Sequence, residues 1–171
     1  MSAAWLGVDL GDARVGLALS DPELTIAHPI GNVQVYGDSF HALDEVIDVI
    51  EEERVARVFV GLPLLMDGTE GKSAKKARRW AANLVKRLQL DDTADRFVGT
   101  GIPEVSLIDE RLTTVSAHRQ LSAALVSSRG HRPRVDQQSA VNILQAALDR
   151  HAAQRRDATD DDASREGTER G

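Results

Sequence analysis

The first apolar run of the chain ends in an aspartate, and this feature restricts the fold more than any other. Trp5 to Val8 read as a buried strand, and the carboxylate of Asp9 that follows is costly to bury unless a cation or hydrogen-bond donors satisfy it. A second apolar run, Arg14 to Ser20, comes after a short turn that contains glycine, so the two runs predict a hairpin. Asp9 is therefore placed to hold a metal ion or a phosphate. The alternative is a turn aspartate that accepts hydrogen bonds from its own backbone.

Length and composition exclude several classes of protein. A chain of 171 residues has the size of one domain, with no room for two domains and a cleft between them. There is no cysteine, which excludes disulfides, cysteine-bound zinc and thiol catalysis. The chain begins without a basic leader and has no apolar run of membrane-spanning length. These observations predict a cytoplasmic protein without membrane association.

Charge is distributed unevenly. Taken over the whole chain, the net charge of −6 argues against a nucleic-acid-binding protein, because such proteins are usually basic. Residues 152–171 contain no large apolar side chain, so we expect a disordered charged tail after a domain that spans residues 1–151. The basic residues between Lys72 and Arg79 could bind the phosphate backbone of a nucleic acid, although a helix face that contacts only solvent is an equal alternative. The basic residues are Lys72, Lys75, Lys76, Arg78 and Arg79 in one cluster, and Arg129, Arg132 and Arg134 in another.

Hydrophobic periodicity predicts alternating strands and helices after the opening hairpin. Such an order indicates a mixed α/β sheet covered by helices. The predicted strands lie near 30–35, at 57–61 and at 105–108; the predicted helices span about 39–53, 73–90, 113–126 and 136–151.

Three acids fall at comparable places in this arrangement. Asp9 ends the first strand, Glu110 follows the fifth, and Asp136 starts the final helix, so they can converge at one edge of the sheet. Carboxylates with open positions suit Mg²⁺ or Mn²⁺, and two such ions can promote phosphodiester hydrolysis. Each acid has an alternative. Asp136 is a competent N-cap, Glu110 could pair with Arg111 at the surface, and Asp109 competes for the inward position because neighbouring strand residues face opposite ways.

The motifs taken together resemble the YqgF/RuvX family over residues 5 to about 149. The resemblance implies an RNase-H-like single domain, with a mixed five-stranded sheet flanked by helices, related to the RuvC resolvases. It implies a nuclease that resolves Holliday junctions or matures the precursor of small-subunit ribosomal RNA, and it gives Asp9, Glu110 and Asp136 the positions of the acidic site. The chain departs from the family before the last aspartate, where arginines replace a more lysine-rich stretch. The matching segments are Asp9-Leu10-Gly11 with Arg14 and Gly16, Gly61-Leu62-Pro63 with Asp67-Gly68 and Gly71, Asp109 to Thr114, and Val135-Asp136 with Ser139-Ala140.

The sequence thus predicts a phosphodiesterase that uses Mg²⁺ or Mn²⁺ and acts on precursor ribosomal RNA or branched DNA. A nucleotide-binding fold of the actin type is a rival, but it needs a second domain; a non-catalytic RNase-H-like module is another. A resolvase that cuts two strands symmetrically favours a homodimer, whereas a processing nuclease could act as a monomer. The predicted catalytic and metal-binding residues are Asp9, Glu110 and Asp136; the predicted substrate-binding residues are Arg14, Arg111, Lys72, Lys75, Lys76, Arg79, Arg132 and Arg134.

Overall fold

A five-stranded mixed sheet forms the centre of the molecule, as the sequence predicted. The computed structural model describes residues 3–35, 37, 39–113 and 132–168, without the side chains of 39–40, 113, 132–136 and 164–168. The strand order is β3-β2-β1-β4-β5; β1, β2 and β3 pair antiparallel, whereas β4 runs parallel to β1 and to β5. The strands are β1 (Trp5–Leu10), β2 (Arg14–Ser20), β3 (Ala27–Gln34), β4 (Arg57–Leu62) and β5 (Glu104–Asp109).

Helices cover both faces of the sheet. Three short 3-10 turns, Ser39–Ala42, Asp95–Phe97 and Glu110–Thr113, accompany the α-helices. The helix that the sequence predicts at 113–126 falls largely on residues 114–131, which lie outside the described residues. The α-helices are α1 (Leu43–Glu52), α2 (Lys72–Leu88), α3 (Asp91–Ala94) and α4 (Arg132–Thr168).

Alternation along the strands divides the core into two layers. Leu6 and Val8 of β1 point to the face covered by α1 and α2, where Trp80 is fully buried. Trp5 of the same strand and Phe59 of β4 point to the opposite face, which α4 covers. Both tryptophans are thus buried in the core, one on each side of the sheet. Every residue of β1 is therefore assigned to one of two faces, and this decides where Asp9 lies.

The last helix is longer at both ends than the sequence predicted. It begins at Arg132 rather than at Asp136, because a proline such as Pro133 is tolerated in the first turn of a helix. Asp136 lies in the second turn, so its interpretation as an N-cap is wrong. The predicted end near His151 is also wrong, since α4 continues to Thr168. Alanine, arginine and glutamine continue a helix whose earlier turns are fixed by packing, although residues 152–163 are all exposed.

Candidate active site

The acids Asp9 and Glu110 lie at the same edge of the sheet, beside Gly61. Val8 of β1 pairs with Val60 of β4, so the next residues, Asp9 and Gly61, are side by side. Glu110 begins the 3-10 turn directly after β5, which pairs in parallel with β4. The carboxyl ends of three parallel strands thus meet here, with neighbouring strands about 4.8 Å apart.

Both acids also lie on the face that α4 covers. Gly7 packs against this helix so closely that an ideal Cβ on it would be 2.7 Å from Cβ of Leu144, and Asp9 follows on the same side by alternation. An ideal Cβ on Gly61 would be 2.5 Å from Oε1 of Glu110 and 2.5 Å from Cδ1 of Ile143. The Glu110 carboxylate therefore lies over the Gly61 backbone, next to α4, one strand from Asp9.

The choice between Asp109 and Glu110 follows from these faces. Leu107 and Val105 pack against the core on the α1–α2 side, and Asp109 continues that side. The Asp109 carboxylate accepts hydrogen bonds from the backbone N of Arg111 at 2.9 Å and from its Nη2 at 2.7 Å. These bonds hold the pKa of Asp109 below its usual range, whereas burial, followed by the charge of Asp109, raises the pKa of Glu110. Glu110 is the partly desolvated acid on the Asp9 side.

Arg111 connects the end of β5 to the loop between β4 and α2. Besides its pairing with Asp109, its Nη1 lies 3.3 Å from the position of an ideal Cβ on Gly68. Its charge also contributes to the lowered pKa of Asp67, behind the larger effect of the hydrogen bonds from Thr69. Arg111 therefore lies between this loop and the strand that leads to Glu110, and its predicted contact with a phosphate stays a prediction.

The loop itself, residues 63–71, is a compact turn. The backbone N of Gly68 donates to the carbonyl of Leu65 at 2.8 Å, and Gly68 has a φ of +85°, which favours glycine. Asp67 accepts hydrogen bonds from Oγ1 of Thr69 at 2.6 Å and from its backbone N at 2.9 Å. Asp67 thus stabilises the turn through its hydrogen bonds to Thr69, and Met66 is fully exposed at the tip.

The predicted phosphate-binding cations whose side chains are described lie mainly on two elements, β2 and α2. Arg14 opens β2, and alternation from Ala18 puts it on the α4 face, two residues before Gly16, the partner of Asp9. On α2, Arg78 pairs with Glu70. Four predicted phosphate-binding or neighbouring cations of α2 make no ion pair with a described residue: Lys72, Lys75 and Arg79, which are exposed, and Lys76, which is half-buried.

Three predicted site residues belong to the start of α4, where only the backbone is described: Arg132, Arg134 and Asp136. Trp5 contacts His151 with ring centroids 4.9 Å apart, whereas Gly7 contacts Ala140 and Leu144, so α4 runs antiparallel to β1. One further turn towards the start of α4 brings the backbone of residue 136 to the Asp9 edge. Among the side chains that are described, no group of three acids or histidines could hold a metal ion.

Sequence reasoning missed the role of Gly61 at this edge. Its missing side chain leaves the space that the Glu110 carboxylate occupies. The available signal was a glycine at the end of an otherwise apolar strand, where a close approach of other groups is common.

Comparison with solved structures agrees with this fold. The Thermus thermophilus RuvC structures, one of them in complex with a Holliday junction substrate, match with a TM-score of 0.54 at 16% and 14% identity, over 88% of this chain and 96% of theirs. The fold is therefore that of RuvC, an RNase-H-like fold.

The family follows from sequence. Residues 3–150 match the family model "RuvX: Holliday junction resolvase", and the chain belongs to this family. Relatives named "Putative pre-16S rRNA nuclease" are 72% identical in Bifidobacterium longum subsp. infantis and 68% identical in Bifidobacterium adolescentis, each over 85% of this chain and 97% of theirs. One from Anaeromyxobacter dehalogenans is 42% identical, over 86% of this chain and 97% of its own. Membership of this family makes the chain a nuclease. Within the described residues no helix is long and apolar enough to cross a membrane.

Proposed function

We propose that this chain is a nuclease that depends on Mg²⁺ or Mn²⁺ and hydrolyses phosphodiester bonds at the edge formed by β1, β4 and β5. Asp9, Glu110 and Asp136 would hold the metal. The observation that supports this most is that Asp9 and Glu110 lie on one face, on neighbouring sides of Gly61, at the end of the sheet to which α4 brings the backbone of residue 136.

The donor set fits such an ion. Mg²⁺ and Mn²⁺ prefer carboxylate oxygens and keep part of their shell for water and phosphate. Burial raises the pKa of Glu110, so its charged form is costly in the metal-free protein, and a nearby cation would relieve that cost. When bound, the metal would activate a water molecule and stabilise the leaving oxygen.

The chain's own residues bind and orient the substrate in this proposal. Arg14, on the same face as Asp9, would contact a phosphate oxygen next to the scissile bond. The exposed cations of α2 follow directly after the loop at 63–71, so they would extend phosphate contacts away from the acids. Arg111 would keep the loop and the Glu110 turn in register with each other.

We propose precursor 16S ribosomal RNA as the substrate and the cytoplasm as the location. The match to this chain spans nearly the whole length of the relatives, and their name gives that RNA as the substrate. A Holliday junction is the second candidate, favoured by the family's description and by the RuvC fold. A dimer is required for paired cuts in a junction but not for RNA processing.

Cleavage mapping tests the proposal. Purified protein is incubated with precursor 16S RNA and with a four-way DNA junction, in Mn²⁺, in Mg²⁺ and in a chelator, and the 5′ and 3′ ends of the products are mapped. We expect metal-dependent cuts at defined positions in the RNA. Symmetric cuts in the junction with intact RNA would establish the second candidate, and a lack of cleavage of both substrates with either metal would contradict a metal-dependent nuclease.

A further inference from the structure

A cavity of about 240 Å³ lies on the α4 face at some distance from the acids. Ser106 of β5 lines it, four residues before Glu110, which is roughly 13 Å along a strand. The cavity has the volume of about eight water molecules, so it has room for a phosphate group and part of a nucleoside. We call it the Arg57 cavity. Its remaining polar lining residues are Arg57, Arg150, His151 and Gln154.

The Arg57 guanidinium is held in place by aromatic rings. Its Cζ lies 4.9 Å from the centre of the Trp5 ring and 5.0 Å from that of Phe59. Cation–π contacts of this kind fix the planar fork of an arginine before any ligand binds. Little conformational entropy would then be lost when an anion binds to it.

A donor of this arginine lacks an acceptor. Nε of Arg57 is buried and makes no hydrogen bond to any described residue. A buried donor without an acceptor is costly, and a negative charge next to the guanidinium would offset part of this cost by its attraction to the cation. Among the described residues, the carboxylate that pairs with the guanidinium is that of Glu104, 3.6 Å from Nη2; its side chain is 70% exposed, so the pairing is weak.

A second arginine and a histidine also line the cavity. Arg150 and His151 lie one after the other on α4 at the cavity wall, and His151 is half-buried against the Trp5 ring. Asp149, the neighbouring acid on α4, accepts a hydrogen bond from Gln145 and is not among the lining residues. The lining therefore contains two arginines and a histidine and no acid.

We propose that the Arg57 cavity is a binding site for the phosphate group of a nucleotide, separate from the acidic edge. The two Nη groups of the Arg57 guanidinium form a fork that matches two phosphate oxygens, and Arg150 supplies a second cation in the lining. The phosphate comes either from a free nucleoside monophosphate or from a nucleotide of a bound strand. The two sources share this chemistry and differ in the experiment.

The two tryptophans allow a direct test by NMR. Trp5 borders the cavity, whereas Trp80 is buried on the opposite side of the sheet, so its indole N–H is an internal control. The full-length ¹⁵N-labelled protein is titrated with AMP, with inorganic phosphate and with adenosine. We expect saturable shifts of the Trp5 signal with AMP and with phosphate and no shift with adenosine. The Trp80 signal should not shift with any of the three.

Variants test the residues. Arg150→Gln at the rim should weaken AMP binding about tenfold, the effect of one charge-assisted hydrogen bond, and Arg57→Gln should weaken it at least as much. Arg155→Gln, which changes an exposed cation of α4 outside the cavity lining, is the matched control and should not change the affinity. The Arg150 variant keeps the test valid if the Arg57 variant does not fold.

The source of the phosphate is decided with an oligonucleotide that carries no terminal phosphate. A strand that shifts Trp5 and displaces AMP identifies the cavity as a contact for bound nucleic acid, and AMP binding without such competition identifies a free nucleotide. The proposal is overturned if Trp5 shows no saturable shift with AMP, or if Arg150→Gln and Arg57→Gln bind AMP like the wild type. Because the assay measures binding in the absence of a divalent metal, its failure does not depend on the failure of the proposed nuclease activity.

Discussion

Replacement of Gly61 by alanine should separate catalysis from folding. The new Cβ would lie 2.5 Å from Oε1 of Glu110, whereas ordinary contacts begin at 3.4 Å, so the carboxylate has to move by about 1 Å. A displacement of that size at a reacting centre costs on the order of 10²-fold in rate. The atoms in the way are ends of the flexible side chains of Glu110 and Ile143, so the backbone can stay, and overpacking should cost about 1–3 kcal/mol of stability.

Two other glycines provide matched controls for this variant. Gly7→Ala meets Cβ of Leu144 at 2.7 Å and the backbone carbonyl of Ala140 at 2.8 Å, so it should destabilise the protein without contacting Glu110. Gly99→Ala meets no atom within 4 Å and should be neutral. The assay combines initial rates of Mn²⁺-dependent cleavage with urea unfolding. A Gly61→Ala protein that cleaves at the wild-type rate would refute the position given to Glu110. So would a loss of cleavage rate no greater than that of Gly7→Ala, when the two rates are compared at the same fraction of folded protein.

Three further predictions follow from burial and charge. Burial raises the pKa of Glu110, so its charge destabilises the metal-free protein above that pKa, and this penalty is lost as the pH falls through it. Glu110→Gln should therefore be equally or more stable than the wild type at pH 7 in a chelator, with no gain near pH 4. A variant that is less stable than the wild type at pH 7 would contradict this. Deletion of residues 152–171, of which 152–163 are exposed, should leave the melting temperature in calorimetry nearly unchanged, whereas a large decrease would show that the segment packs on the domain. Neutralising three cations of α2 should reduce the slope of the binding constant (log K) against log salt concentration by ~2 for single-stranded nucleic acid, at about 0.7 per phosphate contact. An unchanged slope would show that this face of α2 contacts only solvent. Arg78→Gln is the control, because Glu70 already pairs with Arg78; the three cations are Lys75, Lys76 and Arg79.

The strands were predictable from the sequence because their patterns are local. The apolar runs on both sides of Asp9 gave the hairpin, and the later runs gave β4 and β5 to within about a residue or two. The helix α2 was also predicted, to within two residues at either end.

The parts that could not be predicted depend on contacts distant in sequence. Asp109 and Glu110 are adjacent, so periodicity alone could not assign them; the contacts of Arg111 and Gly61 decide which acid faces α4. The start of α4 before Asp136 was missed because a proline reads equally as a loop residue and as a residue of a first helical turn. The disordered state expected for residues 152–171 stays a prediction, and the truncation tests only whether this segment packs on the domain.

The most direct test of the account is Mn²⁺-dependent cleavage by variants that keep the shape of each acid and remove its charge. We expect Asp9→Asn, Glu110→Gln and Asp136→Asn to lose activity while circular dichroism shows a folded protein. Asp109→Asn, whose carboxylate faces away and bonds to Arg111, should keep activity within about tenfold of the wild type. Near wild-type cleavage by Asp9→Asn would contradict the metal site, and an active Glu110→Gln beside an inactive Asp109→Asn would show that the wrong neighbour was assigned to it.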